Sequence, residues 1–138
     1  MHGNFVGRME VQYIDGLTWK VIQAPAPETF GFSLDDGRLI EPPDGMTTDF
    51  ASIPKALWSI FPPTGDGVHA EYGKSAVIHD YLYQTGKICG VPISRRYADL
   101  IFYTANTALG VPYWIRKTFD LGLLLGGQKA WDAYREKD

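Results

Sequence analysis

The pattern of hydrophobic and polar positions divides the chain into a β-like first third and a helical remainder that begins near residue 47. Four β-prone runs occupy residues 11–14, 18–22, 30–34 and 38–40. Asp15-Gly16 separates the first two runs and Asp35-Asp36-Gly37 separates the last two, and both are typical hairpin turns. The first third therefore predicts a small antiparallel sheet assembled from hairpins.

The remainder shows the helical spacing of apolar positions. Helices are predicted at residues 54–61, 70–85, 94–109 and 112–125, with a final turn or two at 128–135. Ser94 is a typical N-cap, and Gly86 and Gly110 are typical helix ends. Gly126-Gly127 is predicted to break the last helix. The fold class is therefore α+β, with an N-terminal sheet followed by a C-terminal part of about four helices.

Composition narrows the class of protein. At 138 residues we expect one domain, β-rich over 1–46 and helical over 47–138. A formal charge of -3 and a pI of about 5.5 argue against a nucleic-acid partner. The single cysteine, Cys89, excludes an internal disulfide and fits a reducing compartment. We also expect no signal peptide, because Met1-His2-Gly3-Asn4-Phe5 lacks the basic-then-apolar profile. We expect no transmembrane helix, because no apolar run approaches the required length of about 20 residues.

The longest apolar run is Leu121-Gly122-Leu123-Leu124-Leu125. Its simplest interpretation is a buried helix, and Tyr113, Trp114 and Trp131 are predicted to pack in the core or at its rim. A second interpretation is a surface that faces lipid or a partner, since large exposed apolar patches mark interfaces.

Candidate chemistry is concentrated around the adjacent pair His79-Asp80 on the helix predicted at 70–85. Helical spacing places Tyr83 on the same face as His79. Histidine suits a general base near neutral pH, and Asp99 on the following helix could fix its tautomer. We therefore predict His79, Tyr83 and Asp99 as catalytic residues.

Asp80 points about 100° away around the helix and is predicted to hold a divalent cation, calcium or zinc. Backbone carbonyls of Gly65-Asp66-Gly67 could complete a calcium site. The alternative is that the His79 and Asp80 side chains only face solvent or form one buried hydrogen bond. Asp99 would then be ion-paired on the surface to Arg95 one turn earlier.

Asp49 lies where the β-like pattern gives way to the helical one, beside Thr47 and Thr48. Turn chemistry favours an Asx turn or cap that joins the two halves. The functional alternative makes Asp49 a further metal ligand beside His79.

The order of several motifs resembles a family of bacteriophage and prophage proteins. The motifs are Thr48-Asp49-Phe50-Ala51-Ser52-Ile53-Pro54, then His79-Asp80-Tyr81-Leu82-Tyr83, then Ala98-Asp99, Arg116 and Gly126-Gly127-Gln128-Lys129-Ala130-Trp131. The family is known as domain of unknown function 1353, and the resemblance covers roughly residues 5–135. It implies a phage origin, with a location in the bacterial host cytoplasm or in the assembled virion.

A narrower resemblance covers about thirty residues. His-Asp-x-x-Tyr followed by Ala-Asp on the next helix is similar to the core of phospholipases of the A2 type. This resemblance implies that His79 activates water, Asp80 binds calcium, Tyr83 supports the site and Asp99 orients His79. The β-rich first third and Asp49 have no counterpart in that family, and its calcium loop is not clearly present.

Three functions follow as hypotheses. The first is a metal-assisted hydrolase that acts on a lipid ester or another component of the membrane or cell envelope. The second is a structural virion component at the tail tip or baseplate, bound to other virion proteins, in which the His/Asp cluster only holds helices together. The third is an early phage protein that binds a host defence factor.

Overall fold

The computed structural model of the protein describes residues 1–50 and 72–137. Their strands are β1 (Gly3–Val6), β2 (Glu10–Asp15), β3 (Thr18–Ile22), β4 (Gly31–Leu34), β5 (Leu39–Ile40), β6 (Thr47–Thr48), β7 (Lys87–Ile88) and β8 (Val91–Pro92). Their helices are α1 (Tyr72–Thr85), α2 (Arg95–Ala108) and α3 (Tyr113–Glu136). The α+β class is confirmed.

Both predicted hairpins are present. β2 pairs antiparallel with β3 across the Asp15-Gly16 turn, and β4 pairs antiparallel with β5 across Asp35-Asp36-Gly37. The hairpins do not join one sheet as predicted, because they belong to two separate three-stranded sheets, β1-β4-β5 and β2-β3-β6. The pattern missed β1, β6 and the β7-β8 hairpin, since strands of two to four residues show almost no periodicity of their own. Strands therefore continue beyond residue 46.

The prediction of about four helices is wrong for the described residues, which contain three. The helix predicted at 54–61 lies outside them. The other predicted boundaries agree well: the Ser94 hydroxyl accepts the Tyr97 N–H at 3.1 Å and caps α2. Gly86 and Gly110 follow α1 and α2 with φ of 66° and 79°, a left-handed backbone that glycine adopts without strain.

The predicted break at Gly126-Gly127 is absent, because α3 is continuous from Tyr113 to Glu136. Each glycine in a helix interior costs about 1 kcal/mol relative to alanine. At Gly127 the structure requires a glycine, because an added Cβ would lie 2.6 Å from the Tyr83 hydroxyl and 2.9 Å from Arg95 Nη1. Tight packing of α3 on α1 and α2 thus explains a glycine that looked like a helix terminator.

The core lies between the sheets and the three helices. The apolar stripe of α2 is buried as its spacing indicates, and it meets aromatic side chains from the strands and α3. Its members are Ala98, Ile101, Phe102 and Ala105. The stacked rings of Phe102 and Phe119, 5.9 Å apart, fix α3 against α2.

The outer face of α3 contradicts the predicted burial of the leucine run. Leu121, Leu124 and Leu125 are 55%, 52% and 78% exposed, and Tyr113 and Trp114 are exposed as well. The buried residues of α3 are Ile115, Phe119 and Gly127, and Leu123 is half-buried against the core, so the other three leucines of the run point outward. None of the three described helices combines the length and apolarity needed to cross a bilayer.

Candidate functional site

The site is built where α1, α2 and α3 meet. α1 supplies His79, Asp80 and Tyr83 on adjoining faces, and α2 supplies Asp99. α1 and α2 pack directly against each other, and α3 closes the group from the third side. Two distant segments of sequence are therefore brought together by helix packing.

His79, Tyr83 and Asp99 form one hydrogen-bonded group. His79 Nε2 lies 2.8 Å from Asp99 Oδ1, and the Tyr83 hydroxyl donates to the same oxygen at 2.7 Å. The His79 ring also packs against the rings of Tyr83 and Phe102, with centroids 4.3 and 4.6 Å away. The predicted juxtaposition of His79 with Tyr83 and Asp99 is present, and the ring orientation is fixed from three sides.

The second oxygen of Asp99 faces two arginines. Asp99 Oδ2 accepts from Arg95 Nη1 at 3.3 Å and from Arg96 Nη1 at 2.9 Å. Burial alone raises the pKa of Asp99, but the hydrogen bonds from His79 and Tyr83 and the charge of Arg96 outweigh burial, so the pKa lies below its ordinary value. Asp99 is therefore an ionised carboxylate inside the protein, with a side chain 0% exposed.

The protonation of His79 follows from this partner. Burial lowers the pKa of His79 more than Asp99 raises it, so the ring is neutral near pH 7. An ionised carboxylate only accepts hydrogen bonds, so Nε2 carries the proton and Nδ1 is the basic nitrogen. This tautomer is the one that a general base requires.

His79 lies on the wall of a cavity of about 450 Å³. Every fourth residue of α3 faces this cavity: Thr118, Gly122, Gly126, Ala130 and Tyr134. A Cβ added at Gly122 or Gly126 would meet no atom of the described residues within 4 Å, so these glycines leave open volume instead of allowing close packing. The short side chains of α3 therefore give His79 an adjoining space of the size that ligand pockets have.

Asp80 lines the same cavity one residue after His79, and so does Asp49. Gln84 Nε2 and the Tyr134 hydroxyl lie 3.3 and 3.4 Å from its carboxylate oxygens, and Thr48 forms a further hydrogen bond. Burial and the nearby charge of Asp49 outweigh these neutral donors and raise the pKa of Asp80 to about 6. A bound cation would relieve this repulsion.

The backbone beside Asp49 adopts a conformation that non-glycine residues rarely take. Phe50 has a φ of 55°, and its ring is fully buried with an edge contact to Trp19 at 6.3 Å. The Phe50 N–H donates to Thr48 Oγ1 at 3.1 Å. Such strain is retained where surrounding packing fixes it, and here it holds Asp49 at the cavity wall.

The donor set for a cation is composed of oxygen atoms. Asp49 and Asp80 offer carboxylates, which suit calcium better than zinc. Within residues 1–50 and 72–137, no group of three or more His, Cys, Asp or Glu side chains is placed to hold a metal ion. The predicted carbonyl donors of Gly65-Asp66-Gly67 lie outside the described residues. The described residues therefore fit two carboxylate ligands and leave the remaining positions to water or other groups.

Sequence reasoning missed three contributors. Arg96 could have been found, because its i,i+3 spacing from Asp99 is a helical ion-pair signal. The four-residue spacing of Gly122 and Gly126 was also visible, but Gly122 was assigned to a buried leucine run and Gly126 to the end of a helix. Tyr134 gave no signal, since its contact with Asp80 joins residues 54 positions apart.

Comparison with known proteins supports one assignment. The family model described as "Protein of unknown function (DUF1353)" matches residues 27–122, a shorter range than the resemblance predicted. This range holds Asp49, His79, Asp80, Tyr83 and Asp99, and it ends at Gly122 within α3.

A relative at the level of sequence is the uncharacterized protein y4jT of Sinorhizobium fredii (strain NBRC 101917 / NGR234). It is 38% identical over 88 residues, which cover 62% of this chain and 24% of the relative. The chain thus spans about a quarter of the length of the curated relative that it matches. No solved structure matches. Because the family model covers more than half of the chain, the protein belongs to the family of proteins of unknown function DUF1353.

Proposed function

We propose that this protein is a hydrolase in which His79 is the general base, Asp99 and Tyr83 position His79, and Asp49 and Asp80 hold a divalent cation. One observation carries the proposal. A neutral histidine, oriented by an ionised carboxylate, lines a cavity of about 450 Å³ that also contains the two acids. The part of this arrangement without Asp49 is the part that resembles A2-type phospholipases.

The chemistry is the attack of water on an ester-type carbonyl. His79 Nδ1 accepts a proton from the water as its oxygen bonds to the carbonyl carbon. The bond to the leaving oxygen then breaks, and the proton passes from His79 to that oxygen. Asp99 stabilises the imidazolium that exists between the two transfers, and Arg95 and Arg96 keep Asp99 ionised. A cation at Asp49 and Asp80 would polarise the carbonyl.

The substrate class in this proposal is a lipid or another cell-envelope component. Phage origin, and action in the host cytoplasm or from the virion, are supported by the order of motifs that resembles phage and prophage proteins. The name of the Sinorhizobium relative gives no activity to transfer.

A second candidate, a structural virion component, is favoured by one specific observation. The side chains of His79 and Asp99 are only 3% and 0% exposed, and Asp99 has hydrogen bonds or ion pairs with four side chains. A fully satisfied buried network of this kind can serve to fix three helices relative to one another.

His79→Ala separates the two candidates. We expect loss of hydrolysis by about 10²–10⁴-fold, with the circular dichroism spectrum and cooperative unfolding retained. The assay uses fluorogenic lipid esters and cell-envelope preparations with calcium, zinc or a chelator. Leu82→Ala on the same helix is the control, and it should lower the free energy of unfolding by about 2–5 kcal/mol with residual activity in the folded fraction. Unfolding of His79→Ala, together with no hydrolysis by the wild type, would establish the structural role instead.

A further inference from the structure

A second cavity adjoins the one beside His79. It measures about 400 Å³, and Asp49, Asp80 and Tyr134 line both cavities. These three residues are therefore called the shared wall, and the two cavities are neighbouring compartments that adjoin at the paired acids.

The two compartments differ in chemistry. The first has Phe119, Leu123 and Ala130 among its lining residues, together with the open volume left by the glycines of α3. The second is lined away from the shared wall by hydroxyl, amide and ammonium groups, from Thr18, Thr47, Thr48, Gln84 and Lys137. An apolar space and a polar space thus meet at the candidate site.

We infer that the two compartments form one binding site for an amphiphile, with a hydrocarbon chain along α3 in the first and a neutral, hydroxyl-rich head group in the second. Hydrocarbon gains by leaving water in proportion to the apolar area that it buries. Threonine hydroxyls, the Gln84 amide and two carboxylates can donate to and accept from sugar or glycerol hydroxyls. With no cation bound, a phosphate head group would face the two carboxylates of Asp49 and Asp80, whose repulsion opposes the attraction of Lys137, so the probes are compared in the presence of a chelator.

This inference deepens the proposed function, because it places the cleaved bond of the substrate at the shared wall, next to His79. That placement rests on the proposed function, whereas binding of the amphiphile does not. Binding can therefore be measured with probes that have no ester bond.

The test compares octyl glucoside, octyl phosphate and methyl glucoside as monomers, by calorimetry and by NMR shift mapping on the wild-type chain. We expect octyl glucoside to bind at least about tenfold more tightly than either other probe, because each buried CH₂ contributes about 0.8 kcal/mol and only the glucoside head avoids repulsion. Shifts should appear at Gly126 and Gln84 together. Equal or tighter binding of octyl phosphate, or no binding of octyl glucoside, would overturn the inference.

Gly126→Leu tests the apolar compartment. A Cβ at this position meets nothing within 4 Å, so the larger side chain fills the cavity without a backbone clash. We expect octyl glucoside to bind at least about tenfold more weakly, since the space for its chain is occupied. Leu124→Ala is the matched control on the same helix, because Leu124 is 52% exposed and does not line the cavity.

Three outcomes are distinguishable. Unchanged binding in Gly126→Leu, or a loss in Leu124→Ala of the same size, would show adsorption on the outer face of α3 and overturn the inference. If octyl glucoside binds as expected but the protein hydrolyses no glycolipid or glycerolipid ester, the proposed function is wrong and the binding site is supported. Hydrolysis of an ester substrate without octyl glucoside binding would retain the proposed function and overturn this inference.

Discussion

Asp80 and Asp99 are two inward-facing carboxylates on neighbouring helices, and their pKa values shift in opposite directions. Asp99 accepts from His79, Tyr83 and two arginines, and its pKa is lowered in spite of burial. Among residues 1–50 and 72–137, the donors to Asp80 are neutral side chains, Asp80 also faces Asp49, and its pKa is raised to about 6. Burial is common to both, so the charge of the neighbours decides the sign.

This difference divides the site into two parts: Asp99, which is held as an ionised carboxylate, and Asp80, whose charge can change. Three of the four side-chain contacts of Asp99 measure 2.7–2.9 Å, and the fourth, with Arg95, measures 3.3 Å. Hydrogen bonds to an ionised carboxylate are strong, which suits a group that positions another residue. Asp80 has contacts of 3.3 and 3.4 Å and lies near the negative charge of Asp49. This environment suits a group that binds a proton or a cation. Three substitutions test this division.

Asp99→Asn should have the largest effect. Removing the negative charge leaves Arg95 and Arg96 without their shared counter-charge, and we expect the free energy of unfolding to fall by about 3–5 kcal/mol. Urea denaturation at neutral pH measures this loss. Asp120→Asn is the control, because Asp120 pairs with Arg96 at 3.1 Å but is 33% exposed, and it should cost less than about 1 kcal/mol. Equal losses in the free energy of unfolding for the two variants would contradict the central electrostatic role of Asp99.

Asp80→Asn should stabilise the protein, so its free energy of unfolding should change in the opposite direction. A carboxyl whose folded pKa exceeds its unfolded value destabilises the folded state as pH rises, here from 3.8 through about 6. The variant removes this cost, so it should gain at most about 3 kcal/mol above pH 6. The measurement is urea denaturation with a chelator, repeated between about pH 4 and pH 8. The free energy of unfolding of the variant should exceed that of the wild type by a small amount near pH 4, and this difference should rise with pH and level off above about pH 6.

Calcium provides the control for that prediction. If Asp49 and Asp80 bind the cation, millimolar calcium should raise the melting temperature of the wild type and leave Asp80→Asn unchanged. A gain for Asp80→Asn that does not depend on pH would contradict the raised pKa. A calcium shift that survives in the variant would remove Asp80 as a ligand.

Tyr83→Phe should have the smallest effect of the three. It removes one hydrogen bond to a charged acceptor, which costs about 1.5 kcal/mol at the low end of the usual range because Asp99 keeps three other donors. The free energy of unfolding measures this cost. Tyr81→Phe on the same helix is the control, since Tyr81 packs against the core and has no bond to Asp99. A larger loss for Tyr83→Phe than for Asp99→Asn would invert the proposed order of importance.

Local patterns in the sequence were sufficient for much of the fold and for part of the site. Asp15-Gly16 and the residues around Gly37 specified two hairpins, because turn residues and strand spacing act over a few positions. Helical spacing placed His79 against Tyr83, and Ser94 capped α2 as its type predicts. The choice of Asp99 as the partner of His79 also came from the sequence, because a histidine base needs an orienting acid and Asp99 lies on the next predicted helix. The phospholipase resemblance implied the same role.

Other features depended on the tertiary structure, because they join residues that are far apart in the chain. Gly126 and Gly127 look alike in sequence, yet one opens a cavity and the other allows α3 to approach Tyr83 and Arg95. Leu121, Leu124 and Leu125 face outward while Leu123 packs against the core, because the neighbours of α3 determine which side of the helix is buried. The opposite pKa shifts of Asp80 and Asp99 likewise follow from partners supplied by other helices and by the strand before Asp49. The sequence by itself thus determined the elements and the residue types available for chemistry, while packing decided which charges meet, since electrostatic and steric contacts depend on distance in space and not on distance along the chain.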